Sequence, residues 1–574
     1  MGDHKNGAEC ANRIDQALKQ AGPFATLVDC ELTRDDLRKS AIALAHKIAS
    51  MGFARGVRVF VATKSEQATI IAITTTLRMG HTLIVGDAQA TPDATAALIA
   101  HSQPDIVVSD VNLFAGTETL PVILADSLTL ATSDTVFPER ANNDVALIVF
   151  TSATTSRPKA VELTYDNLAA QFQIFADVYG FDGETRLLNL LPLHHVDGLV
   201  RGPISALWFG SALLRPRTYS LNTLGDILSD VARTRATHFI TVPAVLRAID
   251  RFSESHGDAF QSTQFRFILS SADHLDGRLW QRIEDRFRVP VANAYGLSEV
   301  VCDALIAGPD DATRKVGTIG RAYGVEAHVV NSDGTPAAKG EVGELVLAGP
   351  TVMRGYVGDA EAFRKAIRDG RFHTGDLVRC TEDDLFEFVG RVKNVVVVGG
   401  ATIYPEAIGE VLLTMTGVGE AYAFGLSDDV RGERLVAAMS PEPGLTLDES
   451  AIWAEARARL APEQYPAEIV FFDRLPRNAT GKVQRDAIIQ KVEDAGNDDA
   501  HLNVFEIAAR CFKQPLESLS SASSPFNTGG WDSLAHLEFI EELESTYGIM
   551  LSPVDIASLM TLSDAIEITD NARK

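Results

Sequence analysis

Short apolar runs alternate with longer amphipathic stretches over the first 390 residues. Val57-Arg58-Val59-Phe60-Val61-Ala62 reads as a buried strand, Glu66–Met79 as the helix after it, and Thr82-Leu83-Ile84-Val85 as the next strand. Asp105-Ile106-Val107-Val108 and Val145-Ala146-Leu147-Ile148-Val149-Phe150 repeat the theme. This alternation predicts a large α/β domain with parallel-rich sheets over residues 1–390. From Arg391 a smaller unit of alternating strands and helices follows, which predicts a small α+β subdomain over residues 391–490. Residues 491–503 (KVEDAGNDDAHLN) are polar and lack aliphatic periodicity, so they read as a linker. Helical periodicity returns at Val504–Phe512, Ser533–Tyr547 and Pro553–Leu559, predicting an all-α bundle over residues 504–574.

A chain of 574 residues exceeds what one core of roughly 250–300 residues can fill, which agrees with several domains. The composition, 46% hydrophobic and 22% charged, is that of a globular protein. A net charge of −25 argues against nucleic acid or an anionic membrane surface as the main partner. The five cysteines are scattered and never spaced as CxxC, so neither a zinc site nor a disulfide framework is expected. The first residues lack the apolar centre of a signal peptide and no run approaches a membrane span, so a cytoplasmic location is expected.

Several segments carry candidate chemistry. The strand ending at Phe150 is followed by Thr151-Ser152-Ala153-Thr154-Thr155-Ser156-Arg157-Pro158-Lys159. Hydroxyls and backbone amides in such a loop can wrap phosphate oxygens, and Lys159 adds positive charge. The loop does not fit the Walker pattern. Farther on come Leu191-Pro192-Leu193-His194-His195, Tyr295-Gly296-Leu297-Ser298-Glu299 and His373-Thr374-Gly375-Asp376. Gly390-Arg391-Val392-Lys393, Gly399-Gly400 and Leu475-Pro476-Arg477-Asn478-Ala479-Thr480-Gly481-Lys482 complete the set. Taken singly, each is compatible with a turn, a surface lysine or a structural histidine.

In this order, over residues 25–490, the segments resemble the adenylate-forming superfamily of acyl-CoA synthetases, luciferases and peptide-synthetase adenylation domains. The resemblance implies that Thr151, Ser152, Thr154, Thr155 and Lys159 hold the phosphates of ATP. It further implies that Tyr295 stacks on adenine beside Ser298, that Glu299 binds Mg2+, and that Asp376 and Arg391 contact the nucleotide. His195 would border the acyl pocket, and Lys482 would bridge the substrate carboxylate and the α-phosphate as the catalytic lysine. Lys393 would be the hinge of a mobile small domain, and Gly399 and Gly400 would line the approach of a thiol. Where the family has glycine in the phosphate loop, this chain has Ala153, Ser156 and Ala160, which narrows the backbone conformations open to it.

Amino-acid-activating relatives place an aspartate at the position of Val196. A buried ammonium beside valine would lack a counter-charge, so an α-amino acid is disfavoured, while Asp197 leaves open an amine elsewhere on the substrate. Asp197 and Arg201, one helical turn apart, fall at pocket-lining positions of aryl-CoA ligases. Either Arg201 meets a second anionic or polar group on a small acid, or the two side chains pair with each other or face solvent. Ser270, Ser271, Asp273 and His274 occupy the pocket-floor segment, which is more polar than in relatives and disfavours a long acyl chain.

Gly529-Gly530-Trp531-Asp532-Ser533-Leu534 opens a helix with a serine. Such a serine is an N-cap device in many proteins; here it also resembles the phosphopantetheine attachment site of an acyl or peptidyl carrier domain. The helix alternates an apolar stripe with Glu538, Glu541, Glu542 and Glu544, and residues 504–574 hold eleven acidic against four Lys or Arg side chains. A linker of that length would reach at most roughly 45 Å and give a carrier concentration on the order of millimolar. The expected function is ATP-dependent activation of a small carboxylic acid and its transfer to the chain's own phosphopantetheine, within a secondary-metabolite type pathway. A phosphopantetheinyl transferase and a downstream acyl-accepting enzyme in trans are the expected partners. Two alternatives stay open: an acyl-CoA synthetase using free coenzyme A, and a degenerate nucleotide fold that presents a carrier.

Overall fold

The structure is a computed structural model that describes residues 5–53, 56–110, 120–125, 136–138, 144–151, 158–253, 256–398, 401–428, 432–442, 444–477, 483–498, 504–531, 533–547 and 549–572. It divides into two compact units. The first is Met1–Val411 with Phe424–Leu435 and Pro462–Gln464; the second is Leu412–Ala423, Val436–Ala461 and Tyr465–Lys574. The first unit therefore extends past the expected boundary at residue 390. Asn394 Nδ2 donates to Glu406 Oε1 at 2.6 Å, tying the helix Pro405–Leu413 back to the turn after Arg391.

Two parallel-rich sheets form the bulk of the first unit. In one, Arg186–Asn189, His238–Thr241, Phe267–Ser270 and Val291–Tyr295 run parallel side by side. In the other, Val145–Phe150, Thr82–Val85, Arg58–Ala62 and Ile106–Ser109 do the same. Both faces of each sheet are buried, which is why their strands read as unbroken apolar runs. Leu187 and Leu269 enter the core that the sheets share, while Leu188 and Ile268 point to the other side, against Trp280 and Ile283 of the helix Gly277–Phe287. Each such Leu or Ile contributes about 1.5–3 kcal/mol on burial. The polar run Thr74-Thr75-Thr76 is buried in the helix Glu66–Arg78, where the Thr74 and Thr75 hydroxyls donate to carbonyls one turn back at 2.8 Å.

A third sheet, built from Glu326–Val330, Val342–Ala348, Ile367–Arg368, Arg371–Cys380 and Phe386–Arg391, is antiparallel throughout, unlike the parallel-rich pattern expected. Short turns join Ile367–Arg368 to Arg371–Cys380 and Arg371–Cys380 to Phe386–Arg391, whereas the helix Ala360–Ala366 lies between Val342–Ala348 and Ile367–Arg368. At Asp369-Gly370 both residues have positive φ, 50° and 74°, as a two-residue hairpin requires.

In the second unit, Val436–Met439 pairs in parallel with Glu468–Phe471. The stretch read as a linker begins as helix: Arg485–Asp498 is one element, with Ile488 and Val492 buried one turn apart. Lys491 donates to the Phe471 carbonyl at 2.6 Å and stands 4.1 Å over the Phe472 ring. A window opening at residue 491 omits Ile488, and with it the stripe that makes the helix. Residues 499–503 lie outside the described set.

Helices Val504–Phe512, Ser533–Tyr547, Pro553–Ser558 and Leu562–Ala572 close a separate apolar core around Ile507, Phe512, Phe539, Leu543 and Leu559. Trp531 stacks on Phe512 at 4.1 Å between centroids and donates through Nε1 to His536 at 3.0 Å. Among the described residues no helix is long and apolar enough to cross a membrane.

Candidate active site

The strand Val291–Tyr295 delivers Tyr295 at its end, and the chain turns at once through Gly296, where a Cβ would run into the Cys302 carbonyl. The single turn Ser298–Val300 that follows carries Ser298 and Glu299. Val301 then takes φ 70° and ψ −74°, closing a γ-turn in which Cys302 N donates to Val300 O at 3.0 Å. For a β-branched residue this conformation stores strain of about 1–3 kcal/mol. It separates two carboxylates with different settings: Glu299 lines an open cleft, while Asp303 is sealed inside the domain.

Asp376 sits on the strand Arg371–Cys380 and pairs in register with Arg391 on the neighbouring strand. Thr374-Gly375-Asp376 is thus strand, not loop. The Tyr295 hydroxyl donates to Asp376 Oδ2 at 2.7 Å, and Arg391 Nε lies 3.0 Å from Oδ1. Burial pushes the Asp376 carboxyl above its usual value, with Arg391 and Tyr295 pulling it back in part. Burial and the facing Asp376 raise the Tyr295 hydroxyl well above its ordinary value. Behind them, Glu344 accepts from Gly375 N at 3.1 Å and lies 2.8 Å from His373 Nδ1, fixing the backbone that presents Asp376. Lys393 is exposed in the turn after Arg391, close enough for its charge to favour ionised Asp376.

A cleft of about 620 Å³ opens beside this triad, lined by Lys159, Glu299, Glu344, Tyr356, His373 and Thr374 among others. The Tyr356 hydroxyl donates to Glu299 Oε1 at 2.9 Å, and the Lys159 ammonium lies 4.7 Å from the Tyr356 ring centroid. Burial raises the Glu299 carboxyl, while Tyr356 and Lys159 oppose the shift. Thr151 and Lys159 are joined twice, Thr151 N to Lys159 O at 3.0 Å and Lys159 N to Thr151 Oγ1 at 3.2 Å. Ser152, Thr154 and Thr155 between them lie outside the described residues, as do Gly399, Gly400 and Lys482. Among the described residues no cluster of three His, Cys, Asp or Glu could hold a metal by itself. One buried carboxylate at an open cleft suits Mg2+, which binds through one or two carboxylates plus phosphate oxygens.

Of the alternatives open for Arg201, the structure shows internal pairing. Its guanidinium is fully buried and pairs with Asp197 and with Asp303, and Nη1 donates to Ser271 at 3.0 Å. The Ser271 hydroxyl in turn donates to Asp197 at 3.0 Å, and Tyr179 donates to Asp303 at 2.7 Å. Burial by itself would lower the Arg201 pKa; Asp303, together with Cys302 and Tyr179, outweighs it and holds the group above its ordinary value. Arg201 thus already carries two carboxylates from within the protein. Asp273 is exposed and accepts from the His274 amide at 2.9 Å, so it does not join this network. His274 Nε2 lies 3.0 Å from Glu410. Ser270 is buried beside Ser271. His195 precedes the short helix Val196–Leu199, partly buried, its ring 4.4 Å from that of His194.

Tyr179, Asp303, Glu344 and Tyr356 were not singled out from the sequence. Asp303 had a signal: it is the one charge in Val300-Val301-Cys302-Asp303-Ala304-Leu305-Ile306, and a carboxylate in an apolar run needs a partner.

Residues 15–357 match the AMP-binding enzyme family and residues 407–482 the AMP-binding enzyme C-terminal domain. The chain belongs to this family of adenylate-forming enzymes. Among its relatives, the oxalate–CoA ligase of Arabidopsis thaliana is 33% identical over 410 residues, covering 71% of this chain and 77% of that protein. The probable CoA ligase CCL9 of Humulus lupulus is 34% identical over 390 residues, 66% of this chain and 73% of that protein. In fold the chain resembles ATP-bound MatB from Rhodopseudomonas palustris, with a TM-score of 0.76 at 24% identity, covering 84% of this chain and 99% of that one. It also resembles the o-succinylbenzoate coenzyme A synthetase MenE from Bacillus subtilis in complex with ATP and magnesium ion. There the TM-score is 0.72 at 22% identity, over 83% of this chain and 98% of that one. Both family matches end before the helical module at residues 504–572, so the carrier reading of that module rests on its own sequence and helices.

Proposed function

We propose that the chain is an AMP-forming acid–thiol ligase that activates a small carboxylic acid with ATP and passes the acyl group to coenzyme A. The observation that carries this reading is the Tyr295–Asp376–Arg391 triad standing open beside the Glu299 cleft. Tyr295 offers an aromatic face to a base, Asp376 a carboxylate to ribose hydroxyls, and Arg391 a cation to the phosphates. Lys159 faces the phosphate tail, and Glu299 would hold Mg2+. When bound, that ion neutralises charge on the departing pyrophosphate. In the first step an oxygen of the acid attacks the α-phosphorus and the bond to pyrophosphate breaks, giving acyl-AMP. In the second, a thiol sulfur attacks the acyl carbon, its proton leaves, and AMP departs. Lys482 would steady the two anions brought together in the first step, Lys393 would be the hinge between steps, and Gly399 and Gly400 would line the thiol's approach.

Coenzyme A is preferred as acceptor because the relatives carry that activity in their names, which departs from the expected transfer to the chain's own carrier. The helical module favours a second reading: it closes its own core, and one of its helices begins at Ser533. In that reading Ser533 carries phosphopantetheine, installed by a phosphopantetheinyl transferase, and a separate enzyme takes the acyl group onward. Pyrophosphate release and intact-mass analysis over a panel of small acids test both. Acyl-CoA formation that survives Ser533→Ala supports coenzyme A as acceptor; acylation of holo-protein at Ser533 without acyl-CoA overturns that choice. Lys482→Ala should lower acid-dependent pyrophosphate release by about 10²–10³-fold.

A further inference from the structure

The Tyr356 side chain touches both Glu299 and Lys159 of the cleft. Tyr356 lies on the two-residue strand Gly355–Tyr356, paired antiparallel with Val161 and Glu162, and is 7% exposed. Its backbone neighbours fasten both sides of the site. Met353 N donates to Glu299 O at 2.8 Å, Arg354 N to Glu162 O at 2.9 Å, and Val357 N to Ala160 O at 2.9 Å. The segment is therefore bonded to the turn that carries Glu299 and to the strand that starts directly after Lys159. The Tyr356 side chain repeats this link, with its hydroxyl on Glu299 Oε1 at 2.9 Å and its ring 4.7 Å from the Lys159 ammonium.

Glu299 and Lys159 line one cleft and carry opposite charges, yet no ion pair joins them among the described residues. A buried carboxylate near an ammonium gains by pairing directly. Direct pairing would consume the negative group needed for a metal and the positive group needed for a phosphate. Tyr356 satisfies each group separately: the hydroxyl serves the carboxylate, and the ring face serves the cation.

We propose that Tyr356 is a positioning residue of the nucleotide site, which holds Glu299 and Lys159 apart so that one can receive Mg2+ and the other phosphate. The inference rests on the acid-activating reading above. Calorimetric titration of ATP into the full-length protein, at several Mg2+ concentrations and in EDTA, tests it without turnover. Tyr356→Phe keeps the ring and loses the donor. It should weaken the Mg2+ dependence of ATP binding by about tenfold and leave Mg2+-free binding within about twofold. Tyr356→Leu loses both functions and should also weaken Mg2+-free binding, by about tenfold, because Lys159 is then drawn onto Glu299. Thermal melting of both variants reports on folding, and the near-isosteric Phe variant is expected to melt like the parent. Wild-type Mg2+ dependence in a folded Tyr356→Phe protein overturns the proposal, as does equal weakening by Phe and Leu in EDTA. If the unaltered protein binds no ATP with Mg2+, the acid-activating reading falls as well.

Discussion

The first unit contains two triads of the same three residue types. In one, Asp303 accepts from Tyr179 at 2.7 Å and pairs with Arg201; in the other, Asp376 accepts from Tyr295 at 2.7 Å and pairs with Arg391 at 3.0 Å. They differ in access to water. The Asp303 and Arg201 side chains are 0% and 1% exposed, whereas Arg391 is 40% exposed over an Asp376 that is 3% exposed. In the sealed triad the carboxylate and guanidinium are committed to internal partners, including Ser271 and Asp197. In the open triad the arginine keeps an exposed flank for a ligand. Residue type alone does not separate a structural charge cluster from a binding one; access does.

The largest expected effect comes from breaking the sealed triad. Asp303→Ala leaves a buried guanidinium with one carboxylate fewer and should cost about 3–5 kcal/mol in chemical denaturation. Equal stability of Asp303→Ala and Asp376→Ala would erase the distinction. Asp376→Ala should reverse the balance. It takes one acceptor from the buried Tyr295 hydroxyl, at about 1–2 kcal/mol, but should weaken ATP binding by about tenfold or more through a lost charge-assisted hydrogen bond. Removing the hydroxyls sharpens the contrast on a smaller scale. Tyr179→Phe should cost about 1–2 kcal/mol of stability, since Asp303 loses a donor in a sealed site, and Tyr295→Phe less. Denaturant midpoints of the two variants, measured side by side, give the answer.

The smallest effect is a pH dependence. The Asp376 carboxyl is held above its unfolded value of about 3.9, so the folded state keeps that proton longer. Its contribution to stability is greatest below the unfolded value and falls as pH rises through the folded one. The melting temperature of the wild type minus that of Asp376→Asn should therefore be larger at about pH 4.5 than at about pH 7. An unchanged difference would contradict burial as the dominant influence on this group.

The parallel-sheet core was legible because strands buried on both faces write themselves as apolar runs. Thr82–Val85 and Val145–Phe150 are found at their expected bounds, as are the helices Val504–Phe512 and Ser533–Tyr547. The antiparallel sheet was not, since strands such as Arg371–Cys380 mix polar and apolar positions and carry side chains that line the cleft. At the site, Tyr295, Glu299, Asp376 and Arg391 were legible as motifs, and the structure brings them together with Lys159. The Arg201–Asp197 pairing was one of the two alternatives open from the sequence, but the further partner Asp303 was not legible because it lies about a hundred residues away, a distance that local spacing does not bridge. Tyr356 went unnoticed for a related reason: a tyrosine after glycine resembles any strand end until Glu299 and Lys159 are folded against it.

ATP–pyrophosphate exchange driven by a panel of small carboxylic acids tests acid activation most directly. At least one acid should support exchange in the intact chain, and Lys482→Ala should lower it by about 10²–10³-fold. Nucleotide binding without acid-dependent exchange for any member of the panel, or exchange undiminished in Lys482→Ala, would contradict the account.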